Sequence, residues 1–219
     1  MSRDAPVVQI KRKRDGDERR RELCDAAIQV LAEQGSRGLT HQQVDRSASL
    51  PDGTTSYYYR TRAALLQGIG SRVAEIDTEN LRSITADATR SATPFGRLAQ
   101  LVMIQADGPG LLLNRARLEL MLAATRDPEI ADRSATFEAR IVTMARDAIA
   151  AVQFAGESAV ESALLDAQVS AVMTIVAGLF TRFAAGDRTV ADVHHVERLL
   201  TSVVRAVTLD HDESSPALD

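Results

Sequence analysis

With 219 residues, 45% of them apolar and 26% charged, the chain can bury a sizeable core as one large domain or two smaller ones. Its single cysteine, Cys24, excludes an internal disulfide and fits a reducing compartment, and its 4% aromatic content leaves the core to Ala, Leu, Val and Ile, a helix-favouring composition. The net charge of −4 is uneven: residues 1–72 hold thirteen Lys/Arg against nine Asp/Glu, and residues 73–219 hold thirteen against twenty-one. A basic front end on an acidic body restricts any polyanion partner to the front end.

Residues 1–14 read as a disordered arm ending in Lys11-Arg12-Lys13-Arg14, with no apolar run that would serve as a secretory leader. The first helix is expected from Asp17 to Gln34, with Leu23, Ala27, Val30 and Leu31 on one face and Gly35 as its stop. Thr40 followed by Gln43 is a capping-box pattern, so a second helix starts there and turns Val44 and Ala48 inward. Ser49-Leu50 makes a turn, and Pro51 suits the first position of a short third helix reaching Tyr57. Thr61 can cap a fourth helix running to about Thr89, with Leu65, Ile69, Val73, Ile76 and Ile84 in one stripe.

Pro94, Pro109 and Pro128 punctuate the middle of the chain, and helices are expected at 94–106, 110–125 and 128–153. Gly156 precedes a helix at 157–185, closed by Gly186-Asp187, and a last helix covers 189–209. The acidic tail from His211 is expected to fray. No strand is predicted. The longest apolar run, Val169–Phe183, is interrupted by Ser170, Thr174, Thr181 and Arg182 and falls short of the ~20 residues a bilayer span needs, so a cytoplasmic protein without a membrane partner is expected.

The third helix is too small and too polar to be a core element. A helix-turn-helix unit lays its second helix in the major groove, and here Thr54, Thr55 and Ser56 are short groups able to meet base edges. Tyr57 and Tyr58 can donate hydroxyls to phosphates, and Arg62 adds charge at a helix N-terminus. Thr40, Gln42 and Gln43, at the start of the preceding helix, complete the candidate DNA-binding set.

At these residues the sequence resembles the TetR family of bacterial transcriptional regulators. Thr40, Val44, Ala48, Gly53, Thr54, Tyr57, Arg62 and Leu65 stand in the family's register. The chain departs from it at Asp45, Ser49, Pro51, Asp52, Thr55, Ser56, Tyr58 and Tyr59, where the family tends to carry Ala, Gly, Ser, a basic residue, Leu, Tyr, His and Phe. The resemblance implies an all-α fold: a three-helix helix-turn-helix domain at 15–60 and a helical effector-binding and dimerisation domain at 61–209. It also implies double-stranded operator DNA, a small-molecule effector and a homodimer as partners, with no cofactor.

In the body, Ala159, Ala163, Ala167, Ala171, Thr174 and Gly178 form a row of small residues along one helix, suited to close approach by a second copy. Met103, Met121, Met144 and Met173 fall one per helix and, with Phe137 and Phe180, are the candidate pocket lining. Arg115 and Glu119 are spaced for an ion pair along one helix. His194 and His195 point to different helix faces without metal-spaced partners, and no nucleophile elbow or phosphate loop is present. The expected function is a regulator, in the first instance a repressor released from a palindromic operator by a small molecule. The alternative is an all-helical enzyme or ligand carrier with an incidental three-helix N-terminus.

Overall fold

The computed structural model describes residues 6–86, 93–126, 128–153 and 162–214. These form nine helices in chain order: α1 (Pro6–Gly38), α2 (His41–Ser47), α3 (Thr54–Tyr58), α4 (Arg62–Ala86), α5 (Gly96–Ile104), α6 (Gly108–Ala124), α7 (Pro128–Gln153), α8 (Ser162–Ala184) and α9 (Val193–Ser214). No strand occurs among the described residues, and the all-α expectation holds.

Three local expectations need correction. Residues 6–14 are helical, so the basic run Lys11–Arg14 lies within α1 and not in an unstructured arm. Pro51 does not open α3; it sits in the preceding turn, where its carbonyl accepts the N–H of Thr54, the first helical residue. The last helix starts and ends later than expected, so that His211–Ser214 are helical. Gly35 does break α1 (φ +68°, ψ −176°), since only glycine takes that backbone region at no steric cost.

The chain divides into two compact units: residues 1–76 with 115–134, and residues 77–114 with 135–219. The first therefore includes the start of α4 and the end of α6, which the sequence pattern assigns to the body. In it α1 packs on α2 and α2 on α3. Leu23 and Leu31 of α1, Val44 of α2, and Leu65 and Ile69 of α4 are all 0% exposed. Each such burial is worth about 1.5–3 kcal/mol relative to an exposed side chain. Arg72 of α4 closes the outside, forking onto Asp25 of α1 at 2.7 Å and Glu75 at 3.0 Å.

The second unit is organised around α5, which packs against α8 and α9. Phe95, Leu98, Leu101, Ile149, Val172, Phe183 and Leu200 form its core. The helix α8 is long and apolar enough to cross a bilayer by length and composition alone. Its Val169, Val172, Val176, Leu179 and Phe183 are buried in this protein core, the packing of a core helix. The opposite face is exposed and carries Ala163, Ala167, Thr174 and Gly178 of the small-residue row, with Ala171 half-buried; Ala159 lies outside the described residues.

Candidate nucleic-acid interface

The helix-turn-helix is built by short-range hydrogen bonds that local sequence already specifies. Thr40 has extended backbone (φ −123°, ψ 154°), and its Oγ1 accepts the Gln43 N–H at 3.1 Å, the capping expected of that pair. The turn then closes through Ser49 N–H to Arg46 O and Leu50 N–H to Asp45 O. Ser49 sits at φ +55°, a left-handed position that a side chain occupies at some cost and where the resembling family tends to carry glycine. Gly53 (φ +91°) enters α3 without any side chain to cap it.

That missing cap is supplied from α2. The carboxylate of Asp45, 1% exposed, accepts the Gly53 N–H at 2.8 Å through one oxygen. Through the other it accepts the Thr55 N–H at 2.7 Å and the Thr55 hydroxyl at 2.5 Å. Thr55 is 0% exposed. This corrects its assignment to DNA contact: its hydroxyl faces inward and ties α3 to α2.

Arg62 is exposed and already has partners within the unit. Its guanidinium donates to Leu39 O at 2.5 Å, to Ser36 O at 2.6 Å and to Ser36 Oγ at 2.7 Å. These bonds close the α1–α2 connection and fix the guanidinium beside the start of α2, an addition to the phosphate contact expected of it. Ser36 is held from the other side as well, its N–H donating to Glu119 Oε2 at 3.0 Å.

The groups left on the open face of α3 are small and polar or aromatic. Ser56 is exposed, Tyr57 is 79% exposed, and Thr54 is half-buried with its hydroxyl donating to Pro51 O at 2.6 Å. The Tyr57 ring stands edge-on to Tyr58 (centroids 5.0 Å, planes at 84°), and the Arg20 guanidinium lies 5.2 Å over the Tyr58 ring. Arg20 was not among the expected residues; its position in a basic helix was visible, but not that it would meet a ring thirty-eight positions on. Thr40 and Gln42 are exposed and Gln43 half-buried on the adjoining end of α2. His41 Nε2 lies 2.7 Å from Tyr59 O, holding the exit of α3 against the start of α2.

The third tyrosine belongs to the interior. Tyr59 OH lies 3.1 Å from Cys24 Sγ, and burial pushes both the thiol and the phenol above their usual ranges. Both therefore stay neutral at ordinary pH. A thiol held in this way fits a structural role better than a reactive one.

The candidate pocket residues do not share one place. Met103, Met144 and Met173 are half-buried against the core of the second unit, and Phe180 is in that core. Met121 belongs to the first unit and is 56% exposed. Phe137 lies outside the described side chains. A cleft of about 220 Å3 is lined by Arg97 and Leu98 of α5 and by Met144, Asp147 and Ala151 of α7, so Met144 is the one candidate among the described side chains that reaches it. Periodicity and composition gave no sign of Asn114, 0% exposed, whose Nδ2 donates to Phe180 O at 2.8 Å across α6 and α8. No group of three or more potential metal ligands occurs among the described residues, and His194 pairs with Glu197 at 3.1 Å, a neighbour three positions on that the sequence pattern did not single out.

No family model and no curated protein matches the chain. Solved structures do. A TetR-family member from Streptomyces coelicolor aligns with 23% identity over 85% of this chain and 98% of its own, with a TM-score of 0.61. A transcriptional regulator from Saccharomonospora viridis, solved with choline, gives 19% identity, 86% and 96% coverage and a TM-score of 0.69. The multidrug binding protein EbrR, solved with ethidium, gives 23%, 84% and 98%, and 0.59. At these identities the likeness is one of fold: the chain has the fold of TetR-family transcriptional regulators, with a helix-turn-helix unit followed by a helical body.

Proposed function

We propose that the chain is a DNA-binding transcriptional regulator that works in the cytoplasm as a homodimer and responds to a small molecule. The observation that carries this reading is the open face of α3: Ser56 and a Tyr57 that is 79% exposed, on a helix whose other side is locked down. A soluble domain has little reason to hold a five-residue helix rigidly while leaving its largest side chain in water, unless a partner covers it. The +4 charge of residues 1–72 favours a polyanion as that partner.

In this reading the two copies associate through the exposed small-residue face of α8, where Ala163, Ala167, Thr174 and Gly178 permit close helix approach. Their α3 helices then enter successive major grooves of a two-fold site, about 34–36 Å apart. Tyr57, Tyr58, Thr40 and Gln42 contact the backbone, while Thr54 and Ser56 meet base edges. The effector binds within the second unit, with Met103, Met144, Met173 and Phe180 near its walls. Ligands of the structural relatives, choline and ethidium, are organic cations, and the −8 charge of residues 73–219 favours the same class here. Release of DNA requires that the ligand prefer the conformation that cannot bind DNA.

Selection of duplexes from a random pool, with binding measured at several salt concentrations, tests this directly. The expected result is a two-fold symmetric consensus bound with a steep salt dependence. Absence of any enriched duplex, or binding indifferent to salt, would overturn the assignment in favour of an all-helical enzyme or carrier.

A further inference from the structure

We infer that Asp45 is a specificity-determining positioning residue: its buried carboxylate sets the rotation at which α3 presents Thr54, Ser56 and Tyr57. The inference rests on the DNA-binding reading proposed for this chain, and adds to it a residue that touches no DNA.

The five residues of α3 make about one and a half turns, too few to hold a helix by its own hydrogen bonds. Its N-terminus has no side-chain cap of its own, because Gly53 stands at that position. Asp45 fills the gap from eight and ten residues away, with one oxygen on the Gly53 N–H and the other on both the N–H and the hydroxyl of Thr55. Two of the three donors are main-chain groups at the entry to α3. They orient the backbone itself, not merely one side chain.

A carboxylate does this differently from an apolar contact. Charge-assisted hydrogen bonds are short and directional, so they resist rotation of α3 about its axis. Apolar side chains at the same two positions would hold α3 against α2 with equal area but would allow it to roll, because dispersion contacts have no preferred direction. The partner that is fixed, Thr55, lies between Thr54 and Ser56 in sequence. Anchoring its side chain inward therefore sets where both neighbours point. The two departures from the usual apolar pair, Asp45 and Thr55, also occur together in this chain, as the two halves of one interaction.

The test uses the full-length chain with the duplex that the wild-type protein enriches from a random pool, a scrambled duplex of equal length, and thermal melting. Asp45→Asn keeps the shape but cannot accept all three donors. It is expected to bind the scrambled duplex within about twofold of wild type while losing about tenfold in the ratio between the two duplexes, the size of one weakened base contact. The double variant Asp45→Ala/Thr55→Val removes both polar side chains, so it should melt higher than Asp45→Ala alone, since Thr55 no longer leaves a buried hydroxyl unsatisfied. Its discrimination should nevertheless stay low, because the Gly53 and Thr55 N–H groups still lack their acceptor. Recovery of discrimination together with melting temperature would overturn the inference, reducing Asp45 to a core stabiliser while leaving DNA binding intact. An unchanged ratio in Asp45→Asn would overturn it equally. Failure of the wild-type chain to enrich any duplex would instead bring down the DNA-binding reading, and this inference with it, before any variant is compared.

Discussion

The backbone N–H of Ser36, just beyond the break in α1, donates to the Glu119 carboxylate of α6 at 3.0 Å across eighty-three positions of sequence. Arg62 holds the carbonyl and hydroxyl of the same serine, so one residue at the end of α1 is gripped by α4 and α6 together. Gly35 beside it leaves no room to spare: an added Cβ would lie 3.3 Å from Glu119 Oε1, at a φ of +68° that disfavours any side chain. Removing the carboxylate by Glu119→Ala should lower stability by about 1 kcal/mol, the net worth of one such bond. Hydrogen exchange should speed up over residues 35–40 specifically. Uniform exchange across α1 and α2 in the variant would show that the contact is incidental.

Tyr57 should matter for binding and not for folding. Its ring is almost wholly in water, so Tyr57→Ala is expected to change stability by less than about 0.5 kcal/mol. Affinity for the selected duplex, measured by fluorescence anisotropy at fixed salt, should fall clearly. Tyr57→Phe separates the hydroxyl from the ring; a phosphate contact through the hydroxyl predicts a loss in both variants. A stable Tyr57→Ala protein with wild-type affinity would remove Tyr57 from the interface.

The small size of Gly68 is required by its neighbour. A Cβ there would lie 2.6 Å from Cε1 and 2.9 Å from Cζ of Tyr59, the residue that closes α3 and meets Cys24. Gly68→Ala should therefore displace the tyrosine and destabilise the protein by about 1–3 kcal/mol through overpacking. The Cys24 thiol, 3% exposed and pushed up by burial, should resist alkylation in the native protein near neutral pH and become measurably faster in Gly68→Ala. Rapid alkylation of the folded wild-type chain, read by intact mass, would contradict the Cys24–Tyr59 packing.

Asp187 in the α8–α9 turn accepts the Thr189 N–H and hydroxyl, each at 2.7 Å, and Arg182 Nε at 2.7 Å. These bonds, the backbone one foremost, hold its pKa at about 2, below the ordinary carboxylate value of 3.8. A depressed folded-state pKa stabilises above the unfolded value and is lost as pH falls through the folded one. The wild-type melting temperature should thus drop more steeply than that of Asp187→Asn between about pH 4 and pH 2. Parallel slopes in the two proteins would show that the turn does not depend on the charged form.

The division between what was legible and what was not tracks the range of the interactions. The order of the helices, the Thr40–Gln43 cap, the stop at Gly35 and the start at Thr61 all depend on residues three or four positions apart, and a linear reading reaches them. The same holds for the long apolar stripes of α4 and α8, where one face must be buried whatever it meets. The orientation of the polar groups inside the motif was not legible. Thr55 and Ser56 are neighbours of similar chemistry, yet one is 0% exposed and the other faces water. Arg62 and Glu119 look like surface charges, and both close on Ser36.

From the sequence alone came an all-helical chain, a basic helix-turn-helix unit ahead of an acidic body, and the short segment in which DNA would be read. Only the tertiary structure decided which side chains of that segment stay exposed and which turn inward. A helix period and a cap are properties of adjacent turns, fixed by backbone geometry within a few residues. The direction of a polar side chain is settled by the partner it finds, and Thr55 finds Asp45 ten residues back, Arg62 finds Leu39 twenty-three back, and Glu119 finds Ser36 eighty-three back.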